Sequence, residues 1–340
     1  MRGLTSRLEK CVMRSVRRTP LLLILAVLAF AAAPAQADPA ADYPNGPVKI
    51  LVPFAAGGPT DVVARILGEL LSTRWGGKTV VIENRPGAGT IVATAAVAKS
   101  APDGLTLLMA TNTLLINPAI SHSLPYDTAK ELAPVSMIAV QPVALVANKY
   151  FEVKTVADVA AVAKKQPINY TSPGPRGVGD LAGQMLRQRA GIPIQNFTHI
   201  NYNGSAPALT DVIAGRVPLM FDIWHSARRY VETGELKLVA SASADRLPGA
   251  ENVPTIAETY PGVDVIAFNA IMAQGGTPEP IVDKLSADIR AIVASDIFLD
   301  RVKNLGINAY GNAPSELRAW MTKEMARWKE VAQASNIKGD

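Results

Sequence analysis

From residue 48 onward, short runs rich in Val, Ile and Leu alternate with longer runs whose apolar residues recur every three or four positions. After an opening strand-like run at 48–54, β-like runs fall at 79–82, 105–110, 135–147, 168–171, 197–200, 217–221 and 236–241. Helical periodicity appears at 92–98, 156–163, 181–188 and 209–214, the last stopped by Gly215. Pro278 and Pro280 open a helical tail through Ile281, Leu285 and Ile289, and 320–328 suggests a terminal helix. This alternation predicts an α/β protein, a parallel or mixed sheet with helices on both faces. No repeat of solenoid length and no low-complexity tract interrupts it.

The first residues form a different kind of segment. Arg14, Arg17 and Arg18 precede an apolar run over 21–30, and Ala35-Gln36-Ala37 supplies the small-x-small pattern of a signal-peptidase site. Residues 1–37 are therefore expected to be a signal peptide cut before Asp38, because the apolar run is too short to span a bilayer comfortably. Thr19-Pro20 follows Arg17-Arg18 where a twin-arginine signal usually shows a hydrophobic residue, so general secretion to the periplasm is expected. Cys11 lies before the apolar run and cannot be a lipoprotein cysteine. The chain holds 34 basic and 29 acidic side chains; six of the former and one of the latter lie in residues 1–37, leaving 28 of each. With no basic excess, nucleic-acid binding loses its support. The only cysteine leaves with the signal, so hydrophobic burial must hold the remaining 303 residues, enough for two domains.

Three turns repeat one device. The strand at 48–54 breaks at Gly57-Gly58 and runs into a helix whose apolar residues are Val62, Ile66 and Leu70 with Val63, Leu67 and Leu71. Ser172-Pro173-Gly174-Pro175-Arg176-Gly177 leads to a helix near Leu181, and Asn201-Tyr202-Asn203-Gly204-Ser205 to one near Ala208. Each sets unpaired N–H groups and the positive end of a helix at a strand's carboxyl edge, where small anions bind and where open α/β sheets hold ligands. One such turn is ordinary α/β architecture; three suggest one shared cleft. The candidate ligand-binding residues are Phe54, Ala55, Ala56, Gly57, Gly58, Thr60, Asp61, Thr111, Asn112, Ser172, Arg176, Tyr202, Asn203, Gly204, Ser205 and Asp222. Several carry two readings. Asp61 caps its own helix or touches ligand, with the cap better supported. Arg176 clamps a carboxylate or points to solvent. Asp222 accepts from a ligand amine or hydroxyl, or is a turn residue.

Enzyme readings fare poorly. His122, His199 and His225 lack metal-ligand spacing, so neither metal nor cofactor is expected. Ser205 follows Gly204 with His199 nearby, but no Gly-x-Ser-x-Gly elbow is present, and Gly57-Gly58 lacks the Lys-Ser/Thr of a phosphate loop.

The stretch Val52-Pro53-Phe54-Ala55-Ala56-Gly57-Gly58-Pro59-Thr60-Asp61 resembles the first signature of the extracytoplasmic solute receptors of tripartite tricarboxylate transporters, the Bug receptors. Five further segments match in order: Val81-Ile82-Glu83-Asn84-Arg85-Pro86-Gly87-Ala88-Gly89, Pro102-Asp103-Gly104-Leu105-Thr106-Leu107, Leu124-Pro125-Tyr126-Asp127, Tyr202-Asn203-Gly204-Ser205-Ala206-Pro207-Ala208-Leu209 and Asn252-Val253-Pro254-Thr255-Ile256-Ala257-Glu258. The resemblance implies a two-lobed periplasmic binding protein of the Venus-flytrap type, type II-like, each lobe a mixed sheet flanked by helices. It places lobe 1 at 43–146 plus 268–340 and lobe 2 at 147–267. It also implies a monomer that captures a small carboxylate, gripped largely by backbone amides, hydroxyls and water. Its partners are the permease subunits of such a transporter, or a membrane sensor in an orphan signalling system; an exported hydrolase is the weaker alternative. The chain departs from the family pattern at Ala56 (usually proline), Thr90 (usually glycine), Phe268 (often tryptophan), Arg176 (a glycine position) and Asp180 (a histidine position).

Overall fold

The computed structural model describes residues 40–335 except 122, 175–176, 203 and 304–306. The expected signal peptide and its cleavage site lie outside the described residues, as do Arg176 and Asn203.

The strands are β1 (Val48–Val52), β2 (Val80–Asn84), β3 (Thr106–Ala110), β4 (Leu132–Asn148), β5 (Ile168–Ser172), β6 (Phe197–Asn201), β7 (Leu219–Ile223), β8 (Leu236–Ser241), β9 (Ile266–Gln274) and β10 (Asn308–Ala309). The helices are α1 (Pro59–Arg74), α2 (Ile91–Ala98), α3 (Thr113–Ile120), α4 (Val156–Lys165), α5 (Val178–Ala190), α6 (Ser205–Ile213), α7 (Trp224–Glu232), α8 (Ile256–Thr259), α9 (Glu279–Val293), α10 (Asp296–Lys303) and α11 (Pro314–Ser335). Helix α5 begins three residues and α6 four residues before the apolar periodicity at 181–188 and 209–214, because Val178-Gly179-Asp180 and Ser205-Ala206-Pro207 carry little apolar signal. Helix α3 carries Pro118 inside it, which hides it from a reading that treats proline as a helix stop.

One strand organises the molecule. The strands follow the order β2-β1-β3-β9-β4-β7-β5-β6, with β8 and β10 also paired to β4. Over its first part β4 runs antiparallel to β9, from Leu132↔Gln274 to Pro142↔Ile266. It then changes partners, pairing with β7 from Val143↔Ile223 to Ala147↔Leu219 and with β8 over Ala144–Asn148. Proline cannot donate to a ladder, so Pro142 stands where a central strand tolerates it, at the changeover.

Direction follows from these pairings. Strands β1 and β3 are parallel, β9 is antiparallel to β3 and β4 to β9, so β4 runs with β1 and β3 toward their carboxyl edge. It enters the second half of the sheet opposite Ile223, the last residue of β7, and β7, β5 and β6 are mutually parallel. The carboxyl edges of both halves therefore meet at Pro142–Val143.

Core packing fixes the helices on these strands. On α1, Val63, Leu67 and Leu71 are buried, whereas Val62, Ile66 and Leu70 are only half-buried. They pack with Ile50, Val52, Met109 and Ile271 and with Leu285 and Ile289 of α9. A second cluster joins α6 and α7 to β4 and β7 through Leu209, Val212, Trp224, Val146 and Met220. The largest joins both halves: Leu108 and Leu115 share it with Leu145, Tyr170 and Leu186, and Leu317, Met321 and Trp328 of α11 cover it. Phe268 meets Trp320 of that helix edge to face at 4.9 Å between centroids.

Candidate functional site

At the first turn, Phe54, Ala55, Ala56 and Gly57 are exposed after the buried Pro53. Gly57 has φ +85°, the left-handed region that glycine adopts without cost. The Gly57 N–H donates to Asp61 Oδ2 at 2.8 Å, so this amide is held inside the turn. Asp61 also accepts from Arg65 Nε at 2.9 Å and from Asn84 Nδ2 at 2.9 Å, and that same Asn84 nitrogen donates to the Phe54 carbonyl at 3.0 Å. Burial pushes the Asp61 carboxyl up, but the donors from Arg65, Gly57 and Asn84 outweigh it and hold its pKa below the ordinary value. Asp61 thus clamps the turn from the third helical residue. The N–H groups of Thr60 and Asp61 open the helix with no carbonyl one turn earlier to accept from them.

The turn after β3 is bound to β9. Asn112 Nδ2 donates to the Ile266 carbonyl at 2.7 Å, and the Phe268 N–H donates to Asn112 Oδ1 at 3.2 Å. Beside it, Thr111, Thr113 and Thr90 form a chain of hydroxyls with spacings of 3.1 and 2.9 Å. Thr90 has φ +77°, a glycine-like conformation at the position where glycine is usual in the resembling receptors.

In the other half, Ser172 is fully buried; its hydroxyl lies 3.0 Å from the Gly174 carbonyl and 2.8 Å from His199 Nε2. Tyr170 donates to Asp180 Oδ1 at 3.0 Å, and His199 Nδ1 stands 3.9 Å from that oxygen, beyond hydrogen-bond reach. Burial pushes the His199 pKa down, against the opposing pull of Asp180. Serine, histidine and carboxylate stand in order here, but a serine without exposed surface is no nucleophile. Ser205, the serine that sequence proximity pairs with His199, instead donates to Asp222 at 3.0 Å. The Tyr202 hydroxyl donates to Asp211, and Gly204, φ +116°, gives its N–H to the Pro173 carbonyl at 2.6 Å, tying the two turns together.

Asp222 lies inside β7, paired with Ala144, and not in a turn. Its Oδ1 accepts from Ser205 Oγ and from the Ile223 N–H at 2.8 Å, while Oδ2 is buried without a hydrogen-bond partner. Burial pushes its pKa up to about 7, against the lowering effect of those two donors.

Sequence reasoning missed Gln141 and Asn269. Both are buried at the crossing; Gln141 Nε2 donates to Asn269 Oδ1 at 2.8 Å, Asn269 Nδ2 stands 3.5 Å from Thr60 Oγ1, and Gln141 Oε1 is without a partner. Only the pairing of β4 with β9 brings them to α1, and no local pattern announces that pairing. Among the described residues no group of three His, Cys, Asp or Glu side chains is placed to hold a metal ion. A surface depression lined by Pro118, Leu124, Tyr126, Thr128 and Met325 lies at the far end of α3 from these turns.

Two half-sheets that share one crossing strand, with helix-opening turns gathered where it changes partner, define a two-lobed binding protein of the periplasmic type. The chain belongs to the tripartite tricarboxylate transporter receptor family, whose pattern it matches over residues 63–337. Its members are substrate-binding receptors, not enzymes. Similar solved structures include an R. palustris protein with adipate (32% identity, 87% of this chain and 99% of that one, TM-score 0.79). The periplasmic binding protein BugD is 32% identical, with 88% and 100% covered and a TM-score of 0.77. MatC of Rhodopseudomonas palustris, with bound malate, is 31% identical, with 85% and 99% covered and a TM-score of 0.74.

Proposed function

We propose that this chain captures a small carboxylate between its lobes and delivers it to the permease subunits of a tripartite tricarboxylate-type transporter. The observation that carries this reading is the change of partner in β4 at Pro142–Val143, which turns the carboxyl edges of both half-sheets toward one place. In this reading the lobes are 43–146 plus 268–340 and 147–267. The anion is held by first-turn N–H groups of α1, α5 and α6, with Thr60, Thr111 and Ser205 supplying hydroxyls and Phe54 flanking them. Arg176 adds a cation for a second carboxylate. Similarity to proteins solved with adipate and malate supports the ligand class. The protein works as a periplasmic monomer after cleavage before Asp38.

A thermal-shift screen of the exported protein tests this. A ligand bound by the folded state alone raises the melting temperature as its concentration passes the dissociation constant. Adipate, malate, succinate, aspartate and benzoate form the panel, with sugars and polyamines as comparators. A shift with at least one carboxylate and none with the comparators is expected; shifts with the comparators alone contradict the proposal.

A further inference from the structure

Asp222 is 1% exposed and makes no ion pair among the described residues. Its two oxygens are unequal: Oδ1 takes both donors, Ser205 Oγ and the Ile223 N–H, whereas Oδ2 has none. Neutrality is the less costly state there, because an Oδ2 hydroxyl left without an acceptor costs less than a buried anionic oxygen left without a donor, which costs several kcal/mol. Ser205 is the first residue of α6, so the carboxyl stands at the positive end of that helix, where the receptor reading puts the captured anion.

We propose that Asp222 and the captured carboxylate compete for the amino end of α6, so that ligand binds when Asp222 is a neutral acid and capture is coupled to its protonation. This rests on the carboxylate-receptor reading and adds a proton to it. An ionised Asp222 sets a second negative charge beside the bound anion in a site of low dielectric, which weakens binding. The pH at which Asp222 ionises, about 7, lies in the working range of a periplasmic protein.

The elements packed around β7 carry other titratable groups. Asp211 on α6 is engaged by Arg216 and Tyr202. His199 on β6 and Asp180 and Tyr170 beside it form the adjoining network. From α7 come His225, Arg228 and Arg229, with Arg228 paired to Glu232 and helping to push the His225 pKa down after burial; β8 brings Lys237. The β4 segment opposite Asp222 carries no titratable side chain. His199 and His225 are therefore the competing sources of a pH response near neutrality.

Calorimetry with adipate and malate from about pH 6.5 to about pH 8.5, where both ligands are fully ionised, decides among them. The dissociation constant should rise roughly tenfold per unit above pH 7, with heats that depend on the buffer because a proton is taken up. Asp222→Asn keeps the shape and cannot ionise, so its profile should be flat. Ser205→Ala removes a donor that holds the Asp222 pKa down, so the onset of weakening should move to higher pH; it also decides the matter if circular dichroism shows Asp222→Asn misfolded. His225→Gln should keep the wild-type slope. A flat wild-type profile with measurable binding overturns the proposal, as does a slope that survives Asp222→Asn and vanishes in His199→Gln. Tighter binding of aspartate as pH rises overturns it too, since that marks Asp222 as an anionic acceptor. Failure of every carboxylate in the panel to bind at any pH is the distinct failure of the receptor reading itself.

Discussion

Asp61 shows how a residue suited to touch ligand serves the turn instead. Its carboxylate accepts from Gly57, Asn84 and Arg65 and the residue is 2% exposed, so Asp61→Ala should leave the Gly57 amide without its partner and Asn84 Nδ2 with the Phe54 carbonyl alone. A loss of about 1.5–3 kcal/mol in stability, the range for hydrogen bonds to charged groups, is expected in urea unfolding, with weakened ligand binding. Because its folded pKa is depressed, its stabilisation is present above the ordinary carboxylate range and is lost as pH falls through the folded value. Asp222 has the opposite sign. Its raised pKa means that the ligand-free protein loses stability as pH rises from about 4 to about 7, and Asp222→Asn should abolish that loss, a difference on the order of a few kcal/mol at pH 8. Unfolding midpoints at pH 5 and pH 8 check this; an equal pH response in wild type and variant contradicts it. The expected capping role of Asp61 is not what the structure shows: Gly58 is the N-cap, without a side-chain cap bond, and Asp61, the third helical residue, reaches back to the Gly57 N–H instead. Its partner Asn84 was not legible in the sequence, because twenty-three residues of chain separate them and only the β1–β2 pairing joins them.

At the scale of elements, strand-to-helix turns were the most legible feature, since glycine and proline punctuate them and apolar periodicity frames them. Starts of α5 and α6 were misjudged because Val178-Gly179-Asp180 and Ser205-Ala206-Pro207 carry little apolar signal. Gly183 on α5 is a packing glycine: a Cβ there would come within 2.2 Å of the Tyr170 ring, itself stacked on Phe197 at 4.5 Å. Gly183→Ala should therefore destabilise by about 1–3 kcal/mol, the cost of overpacking a filled core, as measured by urea unfolding. Gly58 is the contrast. It has φ −79°, and a Cβ would meet nothing closer than Ala55 O at 3.8 Å, so a large side chain fits the fold and fills only the space before the turn.

At the scale of the molecule, the alternation of runs foretold an α/β protein, and the resemblance supplied its two lobes. What neither periodicity nor spacing revealed was β9. Its run Ile266–Gln274 is apolar almost throughout, with no period to tell strand from helix, yet it flanks β4 along the whole first part of that strand. With β9 in place, Gln141 Nε2 meets Asn269 Oδ1, which is why these two residues stayed invisible while Asn112, at the end of a recognisable strand, and the glycine turns did not. The long terminal helix α11 covers the core shared by both halves, so Trp328→Ala, at 2% exposure, should cost about 3–5 kcal/mol in unfolding measurements. The central claim is that the turn at Gly58 grips a carboxylate. Isothermal titration of wild type and Gly58→Trp with adipate and malate, alongside circular dichroism, tests it most directly. The account predicts binding by the wild type and its loss in a variant that keeps the native spectrum. Undiminished affinity in a folded Gly58→Trp protein would contradict it.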